Sequence, residues 1–489
     1  MARPRMKTQF SLLVMAVLTS NLIANDLPEP EEVEQAMVKA TNFFRQHLSA
    51  GGGYASSWTL DPLTGHSEHR SSPTVVSIQP PGTTTVGLSM TKAFRATEHP
   101  VFLKAAREAA SSLDWCQLAS GGWNSDFDLD PSFADDYHYR RDLEAGDTDT
   151  GKRRNLTTLD DNKTQSAITF LLELTHLPAA RSSTEHEECL TFALESLIGA
   201  QSANGGWPQK FDSPSSGNPI SIKASFPESW PREWPNDKYY RYDTLNDGNI
   251  KRAIDVLLQA WKLTGNDAFL KSAKRAGDFL LLAQFDEPQP GWAQQYNEAM
   301  QPAWARKFEP PSLSSAESFS AIQALFELWI ATGDEKYMRS LPSSLDWLER
   351  GQLKDGRWSR FYEMVTNRPI YLTAETYQLT YDDSNLPTHY GFKVGSSFGR
   401  KIEKMRESIE KGRAEIIRSR TAPDSPEGWA KRAHSLAPAV ERALKSQESK
   451  GYWIQNDRID AGLFSEHIET MAAYCEAAKQ AGDAFSEKE

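Results

Sequence analysis

An all-α fold, an (α/α) toroid or barrel built from repeated helix pairs, is predicted by two observations. A Gly-aromatic phrase returns six times: GGGYASSW at 51–58, SGGWNSDF at 120–127, NGGWPQKF at 204–211, PGWAQQY at 290–296, DGRWSRFY at 355–362 and KGYWIQND at 450–457. Between the phrases, stretches such as TVGLSMTKAFRAT, IKRAIDVLLQAWKLTG, FLKSAKRAGDFLLLAQ and SAIQALFELWIATG carry apolar residues at helical spacing, with Gly as a stop and Asn, Asp or Ser near the starts. Two helices fit into most intervals. Units that cannot bury their apolar faces alone stack on their neighbours. Helix pairs repeated around a ring give inner helices buried on both faces, outer helices buried on one, and a mouth where loops and short β elements gather.

Taken in order, the chain opens on MARPRMKTQFSLLVMAVLTSNLIAN, with basic residues, an apolar run from Phe10 to Leu18 and small residues near Ala24. This is the pattern of a secretory signal peptide over residues 1–24, so export to the periplasm or outside the cell is expected. Residues 25–489 read as one toroid domain, and nothing in them is apolar enough to span a bilayer. Three widely spaced cysteines, Cys116, Cys189 and Cys475, imply neither a disulfide framework nor a CxxC metal site. In each phrase the glycine lets the chain reverse after a helix C-terminus, and the aromatic either packs over that end or faces the mouth. On the second alternative Trp207, Trp292 and Trp358 suit stacking on sugar faces. The five aspartates of DFDLDPSFADDYH (126–138) lack the spacing of an EF-hand and read as a solvated acidic loop. A charged helix over 399–420, the break TAPDSPEG and the helices after it are expected to complete the ring.

The 54 basic and 66 acidic residues leave a net charge of −12, which argues against nucleic acid or an anionic membrane as partner. An anionic substrate must then be met by a local basic cluster or a metal ion. Two near-copies supply a candidate: TTLDDNKTQSAITFLLEL at 157–174 and DTLNDGNIKRAIDVLLQA at 243–260. Superposing Thr158 on Thr244 pairs Asp160 with Asn246 and Asp161 with Asp247, each at a helix start. One aspartate there would serve as an N-cap; two consecutive carboxyl or amide residues exceed what a cap needs. If both helices belong to the inner ring, Asp160, Asp161, Asn246 and Asp247 converge as hard oxygen ligands for calcium. Lys238, Tyr239, Tyr240 and Arg241 stand near in sequence.

The segments GGWPQ (206–210), TLNDG (244–248), GWAQQYNEAMQPAWARKFEPPSLSSAES (291–318) and GRWSRFYEMVTNRPIY (356–371) resemble the pectate lyases of polysaccharide lyase family 10. The resemblance implies that Asp160 and Asp247 are calcium ligands, with Asp161 beside them, and that Arg306, in WARKFEPPSLS, is the catalytic base. It further implies polygalacturonate or a related acidic polysaccharide as substrate, and a monomer is expected. DDNKT departs from the family's Asp-Asn-Gly-Ala-Thr, so Asp161 replaces an asparagine and makes the pocket more acidic. WAQQ stands where the family has Trp-Cys-Ala-Gln, and the Arg-Asp-Gly expected after the last motif is missing.

The chemistry wants such residues. Anti β-elimination from a 4-linked uronate removes the proton at carbon 5, which becomes acidic only when the adjacent carboxylate is neutralised, a task for calcium as Lewis acid and template. Arginine is protonated far above neutral pH, so as a base it needs an alkaline milieu or a strongly cationic, desolvated pocket. By residue type alone Arg306 reads as a carboxylate grip; the surrounding motif reverses that. Arg360 and Arg368 are candidate forks for neighbouring uronate carboxylates, and Lys238, Arg241 and Asn246 are further candidate substrate contacts. Two rival readings are an (α/α)-barrel glycoside hydrolase, with Glu309 and Glu317 as the carboxyl pair, and a non-catalytic polysaccharide-binding protein.

Overall fold

The computed structural model describes residues 27–180, 184–216 and 220–485. The expected signal segment, residues 1–24, lies outside the described residues. Among these, twelve helices of ten residues or more are present: α1 (Pro30–Phe43), α2 (Thr83–Thr97), α3 (Pro100–Cys116), α4 (Lys163–Thr175), α5 (Thr184–Gly199), α6 (Asn249–Thr264), α7 (Asp267–Ala283), α8 (Ser315–Thr332), α9 (Leu341–Arg350), α10 (Ser397–Arg420), α11 (Pro426–Ser446) and α12 (Ala461–Ala481). Local chemistry sets their ends. In α6 the stripe Ile250, Ala253, Ile254, Leu257 and Leu258 is buried, Gly265 stops the helix with φ 70°, and Asn266 caps α7 by accepting from the Ala268 N–H.

The helices form the (α/α) toroid that the repeats predict. α12 packs on α2, α2 on α4, α4 on α6 and α6 on α8, an inner row backed by α3 on α2, α5 on α4, α7 on α6 and α9 on α8. Both α11 and α1 back α12, so the two ends of the chain close the ring. Tyr474 Oη donates to Pro28 O at 2.6 Å and Gln447 Nε2 to Ala36 O at 3.0 Å across this seam. The charged α10 is anchored on α8 and α9 by buried Phe398 and Ile402 and by Arg413, whose Nε donates to the carbonyls of Trp329 and Ile330. Cys116, Cys189 and Cys475 are buried and unpaired. No helix among the described residues is long and apolar enough to cross a membrane.

Five of the six phrases close the helix before them, α3, α5, α7, α9 and α11. Trp123, Trp207, Trp358 and Trp453 donate their indole N–H to the carbonyls of Leu113, Leu197, Leu348 and Ala443, ten residues back, and Trp292 donates to Leu280. Carbonyls in the last turns of a helix lack intrahelical partners, and the indole supplies one while filling the space beneath. A glutamine just before the phrase adds a second stitch. Gln201 Nε2 donates to Gly205 O at 2.8 Å and to Ser272 O on α7 at 3.0 Å, and Gln117 does the same to Gly121 and to Cys189 on α5. Gly205 is required here: its φ is +103° and a Cβ would lie 2.5 Å from Arg275 O.

Two sequence expectations are corrected. Trp207, Trp292 and Trp358 are fully or almost fully buried, so they do not face the mouth and cannot stack on sugars; the alternative, packing over a helix end, is the one realised. The acidic stretch is not simply a solvated loop either. Asp126–Asp128 is a strand paired with Val75–Ser77, where Asp128 accepts from Ser72 and Thr74 and Asp126 from Ser67 and the His69 N–H.

Equivalent antiparallel ladders precede the inner helices: Thr157–Thr158 with Lys210–Phe211, Asp243–Thr244 with Gln295–Tyr296, and Leu313–Ser314 with Phe361–Tyr362. The first strand of each ladder pairs with the strand that ends the next Gly-aromatic phrase, which gathers the inner N-termini at one mouth.

Trp207→Phe keeps the ring but leaves the Leu197 carbonyl without its donor. It is expected to cost about 1–3 kcal/mol in denaturant unfolding, against about 3–5 kcal/mol for Trp207→Ala, with substrate affinity of the folded protein unchanged.

Candidate active site

Two turns with one backbone conformation form the floor of the mouth. Leu159 and Leu245 share φ −95°, Asp161 (φ 49°, ψ 31°) matches Asp247 (φ 50°, ψ 29°), and Asn162 (φ 64°) matches Gly248 (φ 71°). Two successive left-handed residues suit Gly, Asn and Asp and penalise bulkier side chains. In this conformation the aspartates do not cap: neither α4 nor α6 has a side-chain cap at its N-terminus. The turns touch, and one carboxylate oxygen from each of Asp160, Asp161 and Asp247 lies within 4.8 Å of the others. Beside them, Asp160 Oδ1 and Asn246 Oδ1 are buried with no hydrogen-bond partner among the described residues, while Asn246 Nδ2 donates to Asp247 at 2.6 Å. Converging hard oxygens, two of them left open, fit a calcium-type cation.

The electrostatics carry the strain of this convergence. Solvent reaches Asp247 from the mouth, yet the enclosing wall pushes its carboxyl up to about 6, helped by the charges of Glu317, Asp161 and Asp160 and opposed by Arg360. A residue the sequence reading missed offsets part of the charge. Lys163, the first residue of α4, is 4% exposed, and its ammonium lies 3.4 Å from Asp161, 3.9 Å from Asp160 and 3.4 Å from Glu68. Its signal was the difference between the copies, because the position equivalent to Lys163 is Asn249.

A basic and aromatic wall rises beside the floor. Arg306 lies on the loop between Gln295–Tyr296 and Leu313–Ser314. Its guanidinium makes a fork to buried Glu309, Nε to Oε2 at 2.8 Å and Nη2 to Oε1 at 2.6 Å, and its backbone N–H donates to Oε2 at 3.0 Å. Burial favours the neutral guanidine, but the bonds and charge of Glu309 outweigh it and hold Arg306 more firmly protonated than a free arginine. The strongly cationic pocket expected for an arginine base is therefore absent in this state; an anion faces it instead. Burial likewise favours a protonated Glu309, yet Arg306 holds that carboxyl below its ordinary range. Tyr390 Oη also donates to Glu309, at 2.9 Å.

Arg360 donates to Glu317 at 3.0 Å and lies over the Tyr390 ring, and its buried Nε has no partner among the described residues. Its charge acts on Asp247 as well as on Glu317. Glu309 and Glu317 are thus each engaged by an arginine. The Tyr239 phenol is within electrostatic reach of Arg306, Glu309 and Asp160, its pKa raised chiefly by burial.

Other candidates lie elsewhere. Arg241 turns to Asp212 at 3.3 Å and lines a surface cavity with Lys210 and Asn297. Lys238 is exposed before the Tyr239 turn. Arg368 is exposed over the Tyr381 ring at 3.6 Å, in a second polar cluster with Glu363 and Arg232. Trp234, exposed, is anchored to the residue before Arg306 by its indole N–H, which donates to Ala305 O at 2.8 Å.

Residues 130–357 match the family model described as pectic acid lyase. This segment belongs to the pectic acid lyase family. It includes both aspartate turns, Lys163, Arg306, Glu309 and Glu317. No curated protein matches the chain. Among solved structures, a mutant of the family 10 polysaccharide lyase from Cellvibrio cellulosa in complex with trigalacturonic acid is similar at 18% identity and TM-score 0.45, over 66% of this chain and 98% of that one. The family 10 polysaccharide lyase from the same organism is similar at 19% identity and TM-score 0.44, over 66% and 97%. Cellobiose 2-epimerase from Bacillus thermoamylovorans is similar at 12% identity and TM-score 0.43, over 92% and 100%.

A carboxyl whose folded pKa is raised contributes stability below its unfolded pKa and loses it as pH rises through the folded value. In chelator, the Asp247 contribution is therefore expected to fade as pH rises from about 4 to 6. Asp247→Asn should flatten that limb and melt at a higher temperature than the parent at pH 7–8, read by thermal melts across pH.

Proposed function

We propose that the chain cleaves 4-linked galacturonan by anti β-elimination, with calcium held by Asp160, Asp161 and Asp247 and with Arg306 as the base. The observation that carries this is the convergence of three aspartate oxygens and two open amide or carboxylate oxygens beside an arginine wall. When bound, calcium neutralises the uronate carboxylate and so acidifies the carbon 5 proton. Arg360, bonded to Glu317 beside Asp247, adds positive charge to the wall that a substrate carboxylate meets, and Glu309 and Tyr390 hold the Arg306 fork in one orientation. The proton passes from carbon 5 to neutral Arg306, its electron pair forms the carbon 4–carbon 5 double bond, and the carbon 4–oxygen bond breaks with its pair going to the departing sugar oxygen, which takes a proton from solvent. Because Glu309 stabilises the arginine cation, turnover belongs to alkaline pH. The same reading takes the protein as a monomer of one toroid domain, residues 25–489, exported by residues 1–24.

Arg306→Lys keeps a charge but neither the fork nor the reach, so kcat is expected to fall by about 10²–10⁴-fold with oligogalacturonate binding by calorimetry nearly unchanged. Glu309→Gln removes the anion that keeps Arg306 protonated, so the alkaline limb of its pH–rate profile should move toward neutral pH. A limb that stays in place, together with an Arg306→Lys variant that retains limiting rate and loses affinity, would identify Arg306 as a carboxylate grip.

Asp247→Ala removes one hard ligand of several. Activity should vanish at low calcium and return in part at high calcium, followed as initial rate against calcium concentration.

A further inference from the structure

We infer that Lys163 is a built-in counter-cation of the aspartate cluster, a positioning residue whose ammonium lowers the affinity of the site for a divalent ion. The inference rests on the calcium reading above. Lysine is almost never fully buried unless paired, and Lys163 is 4% exposed with its ammonium among Glu68, Asp160 and Asp161. The fold itself does not ask for a cation there. At the equivalent start of α6 the residue is Asn249, whose amide is taken up by Gln165 Nε2 at 3.1 Å and by Pro208 O at 3.5 Å.

A different demand explains the lysine. The turn before α4 holds two adjacent carboxylates, Asp160 and Asp161, where the turn before α6 holds an amide and one carboxylate, Asn246 and Asp247. The extra negative charge and the ammonium thus occur on the same turn. With no divalent ion bound, the ammonium offsets part of the mutual repulsion of the three aspartates. An ion entering among those oxygens meets a like charge a few ångströms away, and at that distance repulsion persists at the effective dielectric of a protein. The site is therefore set to fill only where the divalent ion is plentiful, and not by scavenging traces.

The test uses the full mature chain and calcium alone, without substrate. Calorimetric titration is run on the parent and on Lys163→Met, Lys163→Gln and Lys163→Arg, each with a thermal melt in chelator. Lys163→Met keeps the stem and drops the charge; Lys163→Gln is the second neutral variant should the first fail to fold. Both neutral variants are expected to bind calcium at least tenfold more tightly than the parent and to melt lower in chelator, with calcium closing the gap. Lys163→Arg should bind like the parent, because the charge is kept. Equal or weaker calcium binding by the neutral variants overturns the role of Lys163 alone. Calcium uptake by none of the four proteins overturns the calcium reading itself.

Discussion

Five helices of the ring, α3, α5, α7, α9 and α11, are closed by one recurring bond, an indole N–H donated to a backbone carbonyl in the last turns of the helix just before it. The rest of the structure depends on it. Closing the outer helix fixes where the chain turns, the turn delivers a short strand, and that strand pairs with the one before the preceding inner helix. The inner N-termini are thereby held at one end of the toroid at matched heights. Two of those N-termini carry aspartate turns of the same left-handed geometry, and the matched heights bring their carboxylates within a few ångströms of each other.

Such convergence opposes stability. Three aspartates share one small volume with Glu317 close by, and the Asp247 carboxyl is pushed up chiefly by burial and further by these charges. The molecule manages it in two ways. On the α4 side a buried ammonium lies among the carboxylates; on the α8 side Arg360 engages Glu317 and acts on Asp247. Arg306 belongs to a separate balance, locked to Glu309 with aromatic rings of Phe308 and Tyr390 nearby. Strain of this kind collects at functional sites and is sustained by a rigid surround; here the surround is the closed ring of helices.

How much of this was legible in the sequence follows from which features are local. The ring could be read because its unit repeats six times, and the aspartate turns because they occur as aligned near-copies. The side that a tryptophan presents could not be read, since the same Gly-Gly-Trp phrase serves a core indole or an exposed one and only the partner carbonyl decides. Asp126 and Asp128 looked like part of a solvated run because the serines and threonines that bind them lie on a distant strand. Lys163 was visible as a letter but not as a charge among carboxylates, for Glu68 comes from a loop far back in the chain. Glu309, three residues from Arg306, was legible as a carboxylate but not as the partner of Arg306, because its fork depends on the turn between them.

The central claim is that the aspartate cluster, loaded with calcium, turns the mouth into a site for elimination. The most direct measurement is the near-ultraviolet absorbance of polygalacturonate incubated with the mature protein, in calcium and in excess chelator. The account predicts a rise in calcium, from the double bond conjugated to the product carboxylate, and none in chelator. Cleavage without that absorbance, or an undiminished rise in chelator, would contradict it.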